Sequence, residues 1–385
     1  MSHKPRVLMV LYYYQPYVSG LSIHTKNIAE GLVAKGCDVT ILTSRYEDTL
    51  PKKEVINGVT VLRRPVLFKF GKGVILPTLI FDIIRLARKH DYVNPILPMA
   101  EVGPALLFVK KRKILVTYIC DLFLGSDILS RFITFLSFAS MRLALMRASR
   151  IFVNSYDYME HSRMKRYLAK AITAYPPVNA TAFSPSHDKK DFLKDTLSID
   201  TKTKKIGFVG RIVYEKGIGY LLDSIQYIEK EIDDFKIIIV GDYKKIAGGS
   251  VKDELDEYME KYPDKIIFTG YLNDEDLTRF YSEIDVLVLP SIDALESFGM
   301  VQVEAMLCGA PVVTSNLPGV REIIQKTGYG QISRVRDSKD IAAKTIEVLR
   351  HPSKYKPVRK TVLSHFDPMK PIETYMKTMA AKNRF

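Results

Sequence analysis

The sequence predicts an α/β protein of two domains, each a doubly wound parallel sheet. Its 385 residues exceed what one hydrophobic core usually fills. Short apolar runs alternate with longer amphipathic ones along the chain, the pattern of strands joined by crossover helices. Residues 175–185 contain three prolines, which favour extended backbone and predict a hinge between two such series.

The first series predicts a domain over residues 1–178, and the second predicts a domain over residues 179–365. Beyond Lys339 the pattern is helical, and we expect it to be interrupted at Pro352, Pro357, Pro368 and Pro371. The strands predicted in the first domain are 6–12, 38–43, 59–63, 92–97, 113–119 and 150–154, with helices over 23–35, 76–89 and 128–147. Those predicted in the second are 205–209, 236–240, 265–268, 286–289 and 311–314, with helices over 217–228, 252–261, 274–282 and 300–308.

Composition is that of a globular protein, with 47% apolar and 26% charged residues. Residues 7–11 are too short an apolar run for the core of a signal peptide. No run reaches the roughly 18 apolar residues of a membrane span. Three scattered cysteines without metal-ligand spacing predict reduced thiols and a cytoplasmic location.

The excess of 57 basic over 43 acidic residues, a net charge of +14, favours an anionic partner such as a nucleotide, a phospholipid surface or a nucleic acid. No aromatic–basic recognition pattern accompanies the charge, so we expect no nucleic acid. No Gly-x-Gly-x-x-Gly follows the first strand, which argues against a dinucleotide-dependent enzyme.

Residues 285–310 contain a strand, a loop and a helix that could hold an anion. Gly299 precedes the helix, whose free N–H groups and dipole suit a diphosphate. Glu296 and Glu304 flank this point, eight residues apart. One carboxylate could bind sugar hydroxyls and the other a ribose. The alternative is a capped core helix with two solvated glutamates.

The segment Glu296-Ser-Phe-Gly-Met-Val-Gln-Val-Glu304 resembles the signature of the GT4 family of retaining glycosyltransferases. The resemblance implies the GT-B fold, with two Rossmann-like domains facing a cleft and C-terminal helices (residues 366–385) crossing back to the first domain. It implies that Glu296 contacts the transferred sugar and Glu304 the ribose. The backbone amides of Phe298, Gly299, Met300 and Val301 would bind the phosphates.

A second segment, Gly210-Arg211-x4-Lys216-Gly217, resembles another element of the family. Arg211 and Lys216 would neutralise the departing diphosphate, as a metal does elsewhere. The alternative is a surface turn with incidental charges. We therefore expect neither metal nor cofactor, and we assign the acidic run Asp274-Glu-Asp276 to helix capping.

The family also places the nucleobase beside Tyr271 and Leu272, which follow a predicted strand end. Asp242 borders the same edge. UDP is the commonest donor nucleotide in the family, so a UDP-sugar is the favoured donor here.

In the first half, the resemblance places a Gly-Gly loop where this chain has Ser19 and Gly20, opening the first helix towards the diphosphate. Ser19 could serve if only Gly20 needs positive φ. His24 matches a position on the acceptor side; the alternative is a histidine on a partly buried helix face. Asp121 is retained, whereas Ile119 stands where many members carry histidine.

Residues 128–147 are strongly apolar yet carry Arg131 and Arg142 on nearly one helix face. Such a helix could lie on an anionic membrane surface, or it could be a crossover helix packed on its own sheet.

We therefore predict a metal-independent, retaining transferase that moves a sugar from a nucleotide diphosphate to a glycan, a lipid-linked glycan or a small molecule. The alternatives are a catalytically silent nucleotide-sugar-binding protein, for which Ile119 is the reason, or a nucleotide-sugar epimerase on the same fold.

Overall fold

The computed structural model describes residues 4–70, 73–122, 127–185, 192–241 and 252–382. The chain divides into two compact units. Unit 1 comprises Met1–Pro177 together with Met369–Phe385, and unit 2 comprises Val178–Pro368.

Unit 1 is built on an eight-stranded sheet of order β10-β9-β8-β7-β1-β2-β4-β3, in which only β3 runs antiparallel to its neighbour. Its central strands are near-continuous apolar runs because helices cover both faces of the sheet. A separate antiparallel pair, β5-β6, completes the strands. The bounds are β1 (Arg6–Val10), β2 (Asp38–Arg45), β3 (Lys53–Ile56), β4 (Val59–Pro65), β5 (Phe68–Phe70), β6 (Gly73–Ile75), β7 (Tyr92–Leu97), β8 (Leu115–Tyr118), β9 (Arg150–Val153) and β10 (Ala171–Thr173).

Apart from the last helix, the helices that the structure describes in unit 1 come from the first part of the chain. α3 packs against both α2 and α4. The close approach of α3 to α4 is possible because Gly103 has no side chain: a Cβ there would lie 2.2 Å from the Ser140 carbonyl oxygen. The bounds are α1 (Gly20–Ala34), α2 (Thr78–Ala87), α3 (Val102–Leu106), α4 (Ile128–Arg147) and α5 (Tyr156–His161), with 3₁₀ turns at Lys111–Lys113 and Lys165–Lys170.

Unit 2 contains a six-stranded, all-parallel sheet of order β13-β12-β11-β14-β15-β16. Its strands are β11 (Lys204–Val209), β12 (Phe235–Val240), β13 (Ile266–Gly270), β14 (Val286–Leu289), β15 (Val312–Ser315) and β16 (Gly330–Ser333). Its helices are α6 (Phe192–Leu197), α7 (Ile218–Asp223), α8 (Ile225–Ile228), α9 (Lys252–Lys261), α10 (Asp274–Glu283), α11 (Met300–Cys308), α12 (Glu322–Thr327), α13 (Ser338–Arg350), α14 (Pro352–Tyr355) and α15 (Arg359–His365), with a 3₁₀ turn at Tyr214–Lys216.

The last helix, α16 (Met369–Lys382), belongs to the core of unit 1 and packs against α1. The Tyr375 ring stacks on Phe152 with centroids 3.7 Å apart. The Tyr92 hydroxyl donates to the Met379 carbonyl at 2.6 Å. The predicted α/β class, with a C-terminal helix returned to the first domain, is confirmed.

Several local predictions were wrong. The segment 217–228 forms two helices that are separated at Ser224. The Ser224 hydroxyl donates to the Leu221 carbonyl at this break. Pro371 does not interrupt α16, because it lies in the first turn, where its missing N–H would have no helical partner. Strands β3, β5, β6, β10 and β16 were not predicted.

Candidate functional site

Two loops at the carboxyl edge of unit 2 bring the sequence motifs together. β11 and β14 are neighbours, with Ile206 paired to Val286, so the chain leaves both strands at the same edge. The Ile292 amide after β14 donates to the Glu215 carbonyl after β11 at 3.0 Å. Two segments about 80 residues apart thus form one surface.

Gly217 is what allows the two loops to approach. Its φ is +67°, and a Cβ there would lie 2.1 Å from the Pro290 carbonyl oxygen. Only glycine meets both conditions without moving the backbone. The Lys-Gly pair therefore combines a cation with the residue that places it.

Lys216 Nζ forms an ion pair with the Glu296 carboxylate. Both side chains are largely withdrawn from solvent, with exposed fractions of 18% and 16%. Arg211 is different: its side chain is 50% exposed and its guanidinium lies 3.8 Å from Glu215. The structure therefore joins Lys216 to Glu296 and leaves Arg211 at the margin.

The N-terminus of α11 follows Glu296 by three residues. Gly299 is its N-cap, with φ +79° and no side-chain cap. Because Met300 and Val301 occupy the first turn, their N–H groups have no partner within the helix. Phe298 anchors the loop by packing its buried ring against Phe366, with centroids 5.7 Å apart. These amides and the helix dipole suit an anionic group.

Glu304 lies in the second turn of α11. The Tyr281 hydroxyl donates to its carboxylate at 3.1 Å. Burial raises the pKa of Glu304 to about 7, and the bond from Tyr281 opposes this only partly. Glu304 therefore changes charge near neutral pH.

Tyr281 was missed by sequence reasoning, because it comes from α10 and nothing local links it to α11. Gln302 was also missed, although it was detectable as a buried amide within a mainly apolar helix.

β13 is an end strand of the same sheet, and Tyr271 and Leu272 follow it. Gly270 accepts a hydrogen bond from the Gly241 amide at 2.9 Å. Tyr271 is 73% exposed, and Leu272 is partly exposed. Asp242 lies outside the described residues.

The acidic run lies in the first turn of α10, directly after its cap, as predicted. The Asn273 side chain accepts from the Asp276 amide at 3.0 Å, and Asp274, Glu275 and Asp276 form the first turn.

In unit 1, neither Ser19 nor Gly20 has a positive φ, so the start of α1 does not depend on a glycine conformation. Gly20 is the first residue of α1 and is absent from the residues with positive φ. Ser19 is extended and caps the helix. His24 is buried, and neither ring nitrogen has a partner in the described part of the chain. Burial lowers its pKa to about 4.

Ile119 and Asp121 follow β8 but differ in environment. Ile119 is 7% exposed and packs in the apolar core. Asp121 accepts from the Tyr118 hydroxyl and from the Arg163 amide, the latter at 3.1 Å. Its own amide donates to the Tyr158 hydroxyl at 2.8 Å. Asp121 is therefore held within unit 1 by three neighbours.

Comparison with solved structures identifies the fold. Sucrose-phosphate synthase from Thermosynechococcus elongatus superimposes with a TM-score of 0.76 at 17% identity, covering 98% of this chain and 99% of that one. HepE from Anabaena in complex with UDP and glucose gives a TM-score of 0.71 at 17% identity, covering 98% and 100%. The chain thus has the two-domain GT-B fold of glycosyltransferases.

The family follows from sequence. The model of "Glycosyltransferase Family 4" matches residues 18–179, and that of "Glycosyl transferases group 1" matches residues 189–362. Glycosyltransferase MJ1607 of Methanocaldococcus jannaschii is 29% identical over 351 residues, covering 83% of each chain. The chain is a GT4-like glycosyltransferase.

Proposed function

We propose that the chain transfers a sugar from a nucleoside diphosphate, preferably UDP, to an acceptor hydroxyl with retention of the anomeric configuration and without a metal. The observation that carries this proposal is the largely buried Lys216–Glu296 pair three residues before the uncapped N-terminus of α11. A carboxylate for sugar hydroxyls and an anion site for a diphosphate thus share one loop.

In the proposed reaction, the bond between the anomeric carbon and the phosphate oxygen breaks. The acceptor oxygen bonds to the same face of that carbon, and its proton passes to the departing phosphate. Lys216, Arg211 and the first amides of α11 would stabilise the charge that builds up on the diphosphate. No enzyme nucleophile is needed, and no metal is needed for charge neutralisation.

The nucleoside would be bound by Glu304 and by backbone groups near Tyr271 and Leu272. A carboxylate can accept hydrogen bonds from both hydroxyls of a ribose. Glu304 lies on the same helix, α11, as the amides proposed to bind the diphosphate. The fold relative HepE binds UDP, which supports UDP as the first donor base to examine.

Thermal unfolding with a panel of nucleotides and nucleotide sugars tests the proposal. A ligand at a hundred times its Kd adds about 2.7 kcal/mol of stability. We expect a shift with one nucleoside diphosphate, UDP first, and release of that nucleotide when donor and acceptor are supplied together. No shift with any nucleotide would refute the donor site. Binding without release would favour the silent nucleotide-sugar-binding protein.

We also propose that unit 1 binds an anionic membrane surface through α4. The buried side of this helix contains Ser130, Ser137 and Ser140 beside apolar residues such as Phe138 and Met141, whereas Ile128 and Phe135 are 87% and 67% exposed. Phe132 and Leu136 are 59% and 49% exposed on the same face, at spacings of three and four residues. A crossover helix that only covered its sheet would bury these side chains instead.

Basic side chains flank that face. Arg131 and Arg142 on α4 are exposed. The Arg163 guanidinium lies 4.8 Å from the Phe138 ring centroid, which places the basic segment 163–166 beside α4. Apolar anchors with cations around them fit anionic lipid head groups. Such a surface would suit a lipid-linked acceptor. None of the helices in the described ranges is long and apolar enough to span a bilayer.

Co-sedimentation with vesicles tests this part. We expect binding to phosphatidylglycerol vesicles that weakens with salt, and loss of binding in Phe132→Ser/Phe135→Ser. Val55→Ser/Val358→Ser, which removes comparably exposed apolar side chains elsewhere, is the matched control. Equal binding by all three proteins, or no binding by the wild type, would refute the surface.

A further inference from the structure

Gln302 is a fully buried amide in the first turn of α11. Its Nε2 donates to the Phe298 carbonyl and to the Val320 carbonyl, each at 3.1 Å. Phe298 belongs to the loop before the helix, and Val320 to the segment between β15 and α12. One side chain therefore fixes the loop that carries the proposed diphosphate site.

Fixing the Phe298 carbonyl also determines where the next amide points. In a trans peptide the C=O and the following N–H point in opposite directions. With the carbonyl held towards Gln302, the Gly299 N–H is directed to the opposite side of the loop. A Cβ at Gly299 would lie 2.7 Å from Gln302 Nε2, so glycine is needed for Gln302 to occupy this side.

Gln302 does not act as a capping-box residue. In a capping box, which has Ser or Thr at the N-cap, a glutamine at the third helical position accepts a hydrogen bond from the N-cap amide through its side-chain oxygen. Here the Gln302 Oε1 is buried without a partner in the part of the chain that the structure describes. An apolar residue would fill this position without burying an unpaired acceptor. The Gln302 side chain therefore makes its hydrogen bonds through Nε2, the donor of the amide.

We infer that Gln302 is a positioning residue of the donor site. By holding the Phe298 carbonyl, it directs the Gly299 amide to the same anion as the amides of Met300 and Val301. The inference rests on the proposed function, because it assumes that a nucleoside diphosphate binds there.

The test compares UDP with uridine in Gln302→Met, which keeps the side chain's length but removes the donor. We expect UDP affinity to fall about tenfold, as for the loss of one well-aligned bond to a charged group, while uridine affinity stays unchanged. Gln331→Met is the matched control, since Gln331 Nε2 donates to the Tyr355 hydroxyl at 2.6 Å in the same unit. That variant should bind both ligands like the wild type.

If Gln302→Met does not fold, Gln302→Asn replaces it, because the shorter amide should not reach both carbonyls and should show the same selective loss. Equal weakening of UDP and uridine, or no weakening of either, would overturn the inference. A wild-type protein that binds no UDP would remove the proposed donor site and this inference with it.

Discussion

Helices α11 and α1 each follow a strand of a parallel sheet, yet their first turns are satisfied in different ways. The N-cap of α11 is Gly299, which offers no side chain to the amides of the helix. The N-cap of α1 is Ser19, whose hydroxyl accepts from the Ser22 amide at 3.2 Å while the Ser22 hydroxyl accepts from the Ser19 amide at 2.8 Å. Side chains thus satisfy two amides at the start of α1, whereas the N-cap of α11 has no side chain to satisfy any.

Two buried titratable groups, Glu304 in unit 2 and His24 in unit 1, also differ between the units. Glu304 in unit 2 has a pKa of about 7, so it changes charge at neutral pH. His24 in unit 1 has a pKa of about 4, so it stays neutral there. Of these two buried groups, the one that titrates near neutral pH is therefore the acid in unit 2 and not the histidine in unit 1.

The largest expected effect falls on the ion pair of unit 2. Glu296→Gln should lower kcat by about 10²–10³-fold, as the loss of a transition-state contact does, with little change in UDP affinity. Lys216→Met should lower kcat similarly and should also weaken UDP binding, because Lys216 is proposed to contact the diphosphate. The double variant should lose less kcat than the product of the two single losses, because the groups are coupled. Rates with saturating donor and calorimetric binding of UDP provide the measurement. A loss of UDP affinity in Glu296→Gln as large as its loss of kcat would mean that Glu296 serves binding rather than transfer.

The contact between the two motif loops should depend on Gly217. Gly217→Ala places a Cβ against the Pro290 carbonyl in a left-handed conformation and should lower the free energy of unfolding by about 3 kcal/mol or more. Gly270 also has positive φ but open space around it, so Gly270→Ala should cost only about 1 kcal/mol. Urea unfolding of both variants measures the difference. Equal losses would show that the loops do not need this close approach.

His24 should make unit 1 sensitive to acid. Its folded pKa of about 4 lies below the ordinary value of 6.5, so the unfolded chain binds the proton first as pH falls. The stabilisation is fully present above pH 6.5, and about 3 kcal/mol is lost by pH 4. His24→Phe should lack this component when urea unfolding is compared at pH 7 and pH 4. An unchanged pH dependence in the variant would contradict the burial of a neutral imidazole.

Glu304 should make donor binding depend on pH between about pH 6 and pH 8, above the range in which His24 acts. If the carboxylate form binds the ribose hydroxyls, UDP-glucose affinity should fall about tenfold from pH 8 to pH 6, because the ionised fraction falls by that factor around a pKa of about 7. UDP-glucose is the suitable probe, since its diphosphate does not titrate in this range. Glu304→Gln should bind with an affinity independent of pH, and a variant as pH-dependent as the wild type would assign the effect elsewhere.

The smallest effect is expected at the cap of α1. Ser19→Ala should lower the free energy of unfolding by about 1 kcal/mol, whereas Ser19→Gly should cost only a few tenths. Neither should alter UDP affinity, because the Ser19 and Ser22 side chains are already engaged with each other's amides. A clear loss of UDP affinity in Ser19→Ala would show that the start of α1 contacts the nucleotide after all.

Much of the fold was predictable because its signals are local. The helices at 128–147, 252–261 and 300–308 and the strand at 286–289 were predicted with their observed bounds. The spacing of their apolar residues indicates whether each element is a helix or a strand. Flanking turn residues such as Gly299 and Gly309 indicate where an element begins and ends. The short strands β10 and β16 were missed, since each contains one large apolar residue, Ile172 and Ile332, and so has no apolar pattern that distinguishes it from a loop.

The sequence by itself determined which residues form the donor motifs and the order of strands and helices that carries them, because spacing and periodicity are properties of the chain. Only the tertiary structure decided their partners. Lys216 meets Glu296 through the approach at Gly217, and Glu304 meets Tyr281 from another helix. Burial then decides that Glu304 titrates near neutrality and that His24 does not. Contacts and desolvation depend on segments distant in sequence, and no local pattern encodes them.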